Sequence, residues 1–169
     1  WYYSIKADDM DGDGDQDLIV GNLGLNYKYK ASVDEPFEVY SYDFDGNGSL
    51  DIVLSYYEHG EAFPVRGKSC SSQQIPSIGE KFDTYEKFGN SDLFDIYGPS
   101  LDDAMNLQAK TFASAYIENL GDGSFKWKTL PSLAQSSSVN SILTGDYNGD
   151  GHKDLLISGN LYQSEIETP

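Results

Sequence analysis

The sequence predicts an all-β chain of short antiparallel hairpins, interrupted by one helical insertion. Three segments align without gaps: SIKADDMDGDGDQDLIVGN from Ser4, EVYSYDFDGNGSLDIVLSY from Glu38 and SILTGDYNGDGHKDLLISG from Ser141. Each reads as an alternating strand, an Asp/Gly/Asn loop and an apolar run, DLIV, DIVL or DLLI, which is a hairpin pattern. Between the second and third segments, residues 68–110 lose the alternation and carry helix-start signals instead.

The loops share the pattern D-x-[DN]-x-[DN]-G-x-x-D and begin at Asp9, Asp43 and Asp146. Their starts lie 34 and then 103 residues apart, so the second interval must hold extra material. After the strand Ile52 to Tyr57, His59-Gly60 is expected to turn a further hairpin. Within the insertion, Ser77 with Glu80 and Ser100 with Asp103 have capping-box spacing. Phe82, Tyr85 and Phe88 followed by Gly89 predict a short helix and its stop. Residues 90–110 are expected to add one or two helical turns, starting near Asp92 and at Ser100 after Pro99. The β pattern resumes over Thr111 to Asn119, turns at Leu120 to Gly123 and returns over Ser124 to Leu130. The expected division is 1–66 with the first two loops, 67–110 as the insertion, and 111–169 completing the sheet and carrying the third loop.

A chain of 169 residues with 38% apolar and 14% aromatic residues can bury a core, as one domain or as a few repeats of a larger one. Its formal charge of −17 opposes nucleic acid or an anionic membrane as the main partner and favours cations. No apolar run approaches the ~20 residues needed to span a bilayer. The start WYYSIK is neither an initiator methionine nor a signal peptide, so the chain is expected to be part of something longer. Cys70, the one cysteine, cannot form an internal disulfide and is expected to be a small buried residue or an untouched thiol.

The loops carry the chemistry. Calcium takes six to eight oxygens at about 2.3 to 2.6 Å, from carboxylates, amide and backbone carbonyls and water. Asp9, Asp11, Asp13 and Asp17 supply side-chain oxygens at positions 1, 3, 5 and 9 of the first loop, with the backbone carbonyl of Asp15 at position 7. The second loop supplies Asp43, Asp45, Asn47 and Asp51 with the carbonyl of Ser49. The third supplies Asp146, Asn148, Asp150 and Asp154 with that of His152. Gly14, Gly48 and Gly151 hold position 6, where the sharp turn calls for positive φ. Three bound calcium ions are expected.

An EF-hand would need a bidentate Glu at position 12 and flanking helices. Position 12 is Val20, Leu54 or Ile157 and both flanks read as strand, so that alternative fails. A plain Asx-rich turn explains one copy better than three copies in register. Without a cation, the clustered carboxylates repel one another. At the ~10⁻⁴ to 10⁻³ M affinity of extracellular modules, millimolar calcium would contribute roughly 0.4 to 1.4 kcal/mol per site. That affinity class implies an extracellular or surface location, which in a bacterium includes the periplasm and the outer-membrane surface.

These loops with their flanking strands resemble FG-GAP/VCBS repeats, the calcium-loop repeats of integrin-α-type β-propellers, over residues 4–66 and 111–163. Tyr116 to Phe125, YIENLGDGSF, resembles the later hairpin of such a repeat. VGNLGLNYKYKAS and PVRGKSCSSQQIP are similar to bacterial proteins akin to cartilage acidic protein, which often carry an ASPIC/UnbV domain. The resemblance implies a partial β-propeller: four-stranded blades around an axis, each with the calcium loop between its first two strands, and contacts to further blades of the same propeller. The 34-residue first interval is short for a blade, and three calcium hairpins are too few to close a ring.

His59 lies in a turn, and His152 occupies a position where only a backbone carbonyl is needed. No G-x-S-x-G element, zinc-type His pair or phosphate loop is present. The tyrosines, including Tyr2, Tyr3, Tyr27, Tyr29, Tyr40, Tyr42, Tyr56 and Tyr57, suit packing between blades or an aromatic binding platform. The insertion, with Phe82, Tyr85, Phe88, Phe94 and Tyr97, is either a recognition element or a cap over a blade edge. The function expected is a non-catalytic, calcium-binding extracellular scaffold for protein or glycan recognition. The alternatives are an ancillary part of a secreted polysaccharide-active enzyme or a component of an outer-membrane surface complex.

Overall fold

The computed structural model describes residues 2–161. Residue 1, the first of the expected segment 1–66, and residues 162–169, the last of the expected segment 111–169, lie outside the described residues. The chain is mostly β and divides into two compact units, one of the described residues up to Lys28 together with those from Phe112 on, the other of Tyr29–Thr111. The expected division into 1–66, 67–110 and 111–169 follows the loops and the insertion, a division by repeat content and not by compactness.

In the first unit, β1 (Ser4–Asp8) and β2 (Asp17–Gly21) form a hairpin around the first loop. Strands β7 (Ala115–Asn119) and β8 (Phe125–Thr129) form the later hairpin, and β7 pairs antiparallel with β2 in a sheet ordered β1-β2-β7-β8. The sheet is thus continuous in space and split in sequence by the whole second unit. This accounts for the short first interval, because the second loop begins before the first sheet is complete. Strands β9 (Ser141–Gly145) and β10 (Asp154–Ser158) make the third loop's hairpin. Ile142 from β9 joins Ile19, Leu130 and Val139 in the buried core, with Leu155, Ile157 and Tyr116 against it. On the opposite face of the hairpin, Leu143 and Leu156 stand across from each other and are exposed. Gln135, in the 3-10 turn Ser132–Gln135, satisfies buried backbone by accepting from the Ser114 amide and donating to the Ser114 and Leu130 carbonyls.

In the second unit, β3 (Phe37–Tyr42), β4 (Asp51–Glu58) and β5 (Glu61–Pro64) run as a meander. The β4–β5 turn is His59-Gly60, with φ of 54° and 84°, the positive pair that two-residue hairpins favour. Strand β6 (Met105–Ala109) returns to the outer side of β3, giving the order β5-β4-β3-β6. A fourth strand beside the first is a Greek-key arrangement. Residues 105–109 are therefore strand, where the sequence predicted helical turns up to 110. The register explains it: Val39 faces Leu107 and Tyr40 faces Asn106. Buried Glu38 accepts from Asn106 Nδ2 (3.3 Å), Gln108 Nε2 (2.9 Å) and the Tyr40 hydroxyl (2.9 Å), so β6 supplies the donors that a buried carboxylate requires.

Five short helices link β5 to β6: α1 (Lys68–Gln74), α2 (Pro76–Lys81), α3 (Tyr85–Gly89), α4 (Leu93–Tyr97) and α5 (Ser100–Asp103). Two expected caps are absent. Pro76 sits at the start of α2 and puts the N-cap on Ile75, so Ser77 is inside the helix. Ser100 is likewise inside α5, capped by Pro99 without a side-chain bond. The expected helix through Phe82, Tyr85 and Phe88 is broken into α2 and α3, because Thr84 caps a fresh start by accepting from the Lys87 amide (3.1 Å). Asp92 caps α4 as its position suggested, accepting from the Asp95 amide (2.6 Å). Ile75, Ile78, Phe82, Phe88 and Ile96 form the helical core, with Phe44 and Tyr97 packed against it. Two four-stranded sheets and one hairpin are fewer than the four blades a propeller needs, so no closed ring is present among the described residues.

Candidate metal centres

The three loops close on their ladders identically. Asp8 faces Asp17, Tyr42 faces Asp51 and Gly145 faces Asp154, so position 9 is the first residue of the second strand in every copy. Position 6 has positive φ as expected, at 96°, 87° and 85° for Gly14, Gly48 and Gly151. Position 4 does too, at 83°, 72° and 78° for Gly12, Gly46 and Gly149. The first glycine of each Gly-x-Gly therefore carries the same backbone constraint as the second. Nothing lies within 4 Å of a Cβ at any of the six, so backbone conformation alone selects glycine there.

Side-chain oxygens hold each loop by a largely shared scheme that varies only at position 1. Position 1 accepts the position-6 amide in every copy and one or two others: Asp9 from Gly12 (2.8 Å) and Gly14 (3.2 Å), Asp43 from Asn47 (2.9 Å) and Gly48 (2.8 Å), Asp146 from Gly149 (2.7 Å), Asp150 (3.2 Å) and Gly151 (3.0 Å). Position 3 accepts the amide of position 5: Asp11 from Asp13, Asp45 from Asn47, Asn148 from Asp150. Position 5 accepts the amide of position 7: Asp13 from Asp15, Asn47 from Ser49, Asp150 from His152. Position 9 accepts the amide of position 2: Asp17 from Met10, Asp51 from Phe44, Asp154 from Tyr147. An ionised carboxylate has about four lone-pair sites, so capacity for a metal remains after these bonds.

Carboxylate oxygens of Asp9, Asp11 and Asp17 lie within 4.8 Å of one another, as do those of Asp43, Asp45 and Asp51. That spacing suits one ion at the usual calcium–oxygen distance of about 2.3 to 2.6 Å. Asp13, at position 5 of the first loop, lies outside that loop's trio. In the third loop Asn148 replaces the middle carboxylate, leaving Asp146 and Asp154 at the corresponding positions. The donors are all oxygen, which matches hard cations such as calcium and offers no thiolate or imidazole set for zinc.

Electrostatics in the first loop also fit a cation. Asp15 Oδ1 is buried without a hydrogen-bond partner. Burial, followed by the charges of Asp13, Asp17, Asp11 and Asp9, pushes the Asp15 carboxyl up. Burial raises Asp11 as well, with Asp13, Asp17 and Glu118 adding to it. In the third loop the amides of Gly151 and Gly149 hold Asp146 down, and the His152 amide does the same for Asp150.

Two position-9 residues have anchors outside their loops. Asp17, 1% exposed, accepts from the Tyr116 hydroxyl (2.7 Å) and the Asn119 amide (2.9 Å) of β7. Burial pushes its carboxyl up, but these donors and the Met10 amide outweigh it and the net shift is downward. Asp51, 6% exposed, accepts from Gln74 Nε2 of α1 (3.2 Å). Spacing in the sequence held no signal for either anchor, since Tyr116 is 99 residues from its partner and Gln74 is 23.

A family model described as FG-GAP-like repeat matches residues 102–157, from α5 through the third loop into β10. An FG-GAP-like repeat occupies this stretch. No curated protein and no solved structure matches the chain. The FG-GAP-like repeat contains the entire third loop, and the first two loops, outside the match, share its amide bonds to positions 3, 5 and 9 and the bond from the position-6 amide to position 1.

Other singled-out residues have structural surroundings. Tyr29 packs on Phe37 and Tyr56, Tyr27 meets the Phe112 ring edge-on, and Tyr42 meets Phe44. Phe82 and Phe88 are buried edge-to-face, whereas Tyr85 and Phe94 are exposed. Cys70 is exposed, which corrects the buried alternative.

Proposed function

We propose that the chain is a calcium-binding, non-catalytic segment of a β-propeller, a scaffold presented outside the cell or on its surface for protein or glycan recognition. The observation that carries this reading is a largely common hydrogen-bond scheme in three loops, two of which bring three carboxylates within 4.8 Å of one another while the third lies inside an FG-GAP-like repeat. The propeller part draws support from two antiparallel four-stranded sheets, each with a loop-bearing hairpin at its sequence start. Further blades of the same propeller would cover apolar side chains such as Leu143 and Leu156. The finer placement among bacterial relatives of cartilage acidic protein rests on VGNLGLNYKYKAS and PVRGKSCSSQQIP.

Calorimetric titration of metal-free protein with calcium tests the reading. Three ions per chain are expected, along with a melting temperature that falls when chelator is added. No heat of binding, or the same melting curve with and without chelator, would refute it.

A further inference from the structure

The second loop differs from the others in what it touches. Both oxygens of Asp51 are engaged, Oδ2 by the Phe44 amide (3.1 Å) and Oδ1 by Gln74 Nε2 (3.2 Å) at the end of α1. Gln74 Nε2 also donates to the Ile52 carbonyl (3.3 Å), and Gln74 Oε1 accepts from Arg66 Nη1 (3.0 Å), so the amide is held from both ends. At loop position 2, Phe44 packs its ring into the helical core, 5.3 Å from the Tyr97 ring of α4. Tyr97 in turn donates to Ser71 Oγ of α1 (3.4 Å). One loop therefore grips two helices, by a polar contact and by an aromatic one. In the first loop the external anchors come from β7. In the third, Asp154 accepts from the Tyr147 amide, and the Tyr147 side chain is exposed.

We infer that the second loop and the helical insertion are one coupled unit, in which Gln74 positions the ligand Asp51 and a cation bound at the loop stiffens α1 to α4. The inference rests on the proposed calcium binding. An ion that draws Asp43, Asp45 and Asp51 together fixes the backbone of Phe44 and the acceptor of Gln74, and so favours the packed arrangement of the helices. Linkage is reciprocal, so the packed helices must raise the loop's affinity by the same factor. Tyr85 and Phe94 are exposed on these helices, and a surface carrying them would be ordered by calcium at the second loop and left unchanged by calcium at the third.

Hydrogen exchange of the full chain, with calcium alone as the probe, tests the coupling. The reporters are amides bonded within the helices: Ile75 to Ser71, Phe82 to Ile78 and Ile96 to Asp92. Calcium should slow their exchange by roughly fivefold or more, the low end of typical coupling. Asp45→Asn, which keeps an oxygen for the Asn47 amide, should reduce the slowing, and Asp146→Ala in the third loop should leave it intact. Gln74→Leu should weaken one of the three sites by a similar factor, whereas a merely structural Gln74 would lower helix protection equally with and without calcium. Calcium uptake with unchanged exchange at these amides, or equal loss of slowing in Asp45→Asn and Asp146→Ala, overturns the coupling alone. Absence of calcium uptake at every loop overturns the calcium reading as well.

Discussion

Position 9 is chemically the same in the first and third loops and structurally very different, so Asp17→Ala and Asp154→Ala should separate widely in calcium-free protein. Asp17→Ala orphans three donors: the Tyr116 hydroxyl at 2.7 Å, the Asn119 amide at 2.9 Å and the Met10 amide at 3.0 Å. Losing the partner of a buried donor costs about 1 to 3 kcal/mol, and with partial relaxation of the loop the sum comes to roughly 3 to 6 kcal/mol. Relief of repulsion among the loop's carboxylates does not offset this, because the Asp17 carboxyl sits below its ordinary range and its charge is favoured where it lies. Asp154→Ala orphans the Tyr147 amide at an exposed turn, for about 1 kcal/mol. Both residues belong to the same compact unit, so one urea transition followed by Trp127 fluorescence in chelator reports both. Losses equal to within about 1 kcal/mol would show that the β7 anchors contribute nothing and refute the reasoning.

Two further predictions follow from the same unit. Lys153 first, then Thr144, hold the Asp8 carboxyl down from 3.8 to about 2. A depressed acid contributes stability that is present above its unfolded pKa and is lost as pH falls through the folded one, so acidification from about pH 4 to about pH 2 should remove it. Lys153→Met should shrink that acid-dependent loss in denaturation curves taken across the window, and an unchanged slope would count against the ion pair. Gly21→Ala would place a Cβ 2.1 Å from the Val139 carbonyl oxygen and 2.3 Å from Ser4 Oγ, whereas Gly149→Ala meets nothing within 4 Å and carries only the strain of φ +78°. Urea midpoints should show Gly21→Ala at or beyond the upper end of about 1 to 3 kcal/mol and Gly149→Ala at about 1 to 2; the reverse order would contradict the close packing at Gly21.

What the sequence made legible was local. The loop hairpins join strands only a few residues apart, so alternation, Asx-rich loops and apolar runs sit side by side in the chain, and the His59-Gly60 turn reads the same way. The capping-box signals at Ser77 and Ser100 misled because each follows a proline, which takes the first turn and moves the cap one residue upstream of itself or onto itself. Pairing of β2 with β7 joins Val20 to Ala115, and no pattern within either strand names its partner. Strand β6 was hidden for a related reason: Met105, Leu107 and the polar Asn106 and Gln108 alternate as an edge strand, but they follow directly on a run of helices and find their partner β3 more than 60 residues back in the chain. At the candidate site the ligand positions were all visible, whereas Tyr116, Asn119 and Gln74, which support them, reach the loops only through tertiary contact.

The split first sheet has a consequence during synthesis. Strand β2, the run DLIVG with Ile19 fully buried in the finished protein, leaves the ribosome 95 residues before Ala115 of its neighbour β7. At about 5 to 20 residues per second, its unpaired backbone edge waits roughly 5 to 20 seconds for β7 to emerge. A nascent chain with an apolar, unpaired strand edge is an invitation to neighbouring polypeptides. Holdase chaperones would find their binding window there, before Phe112 has been made.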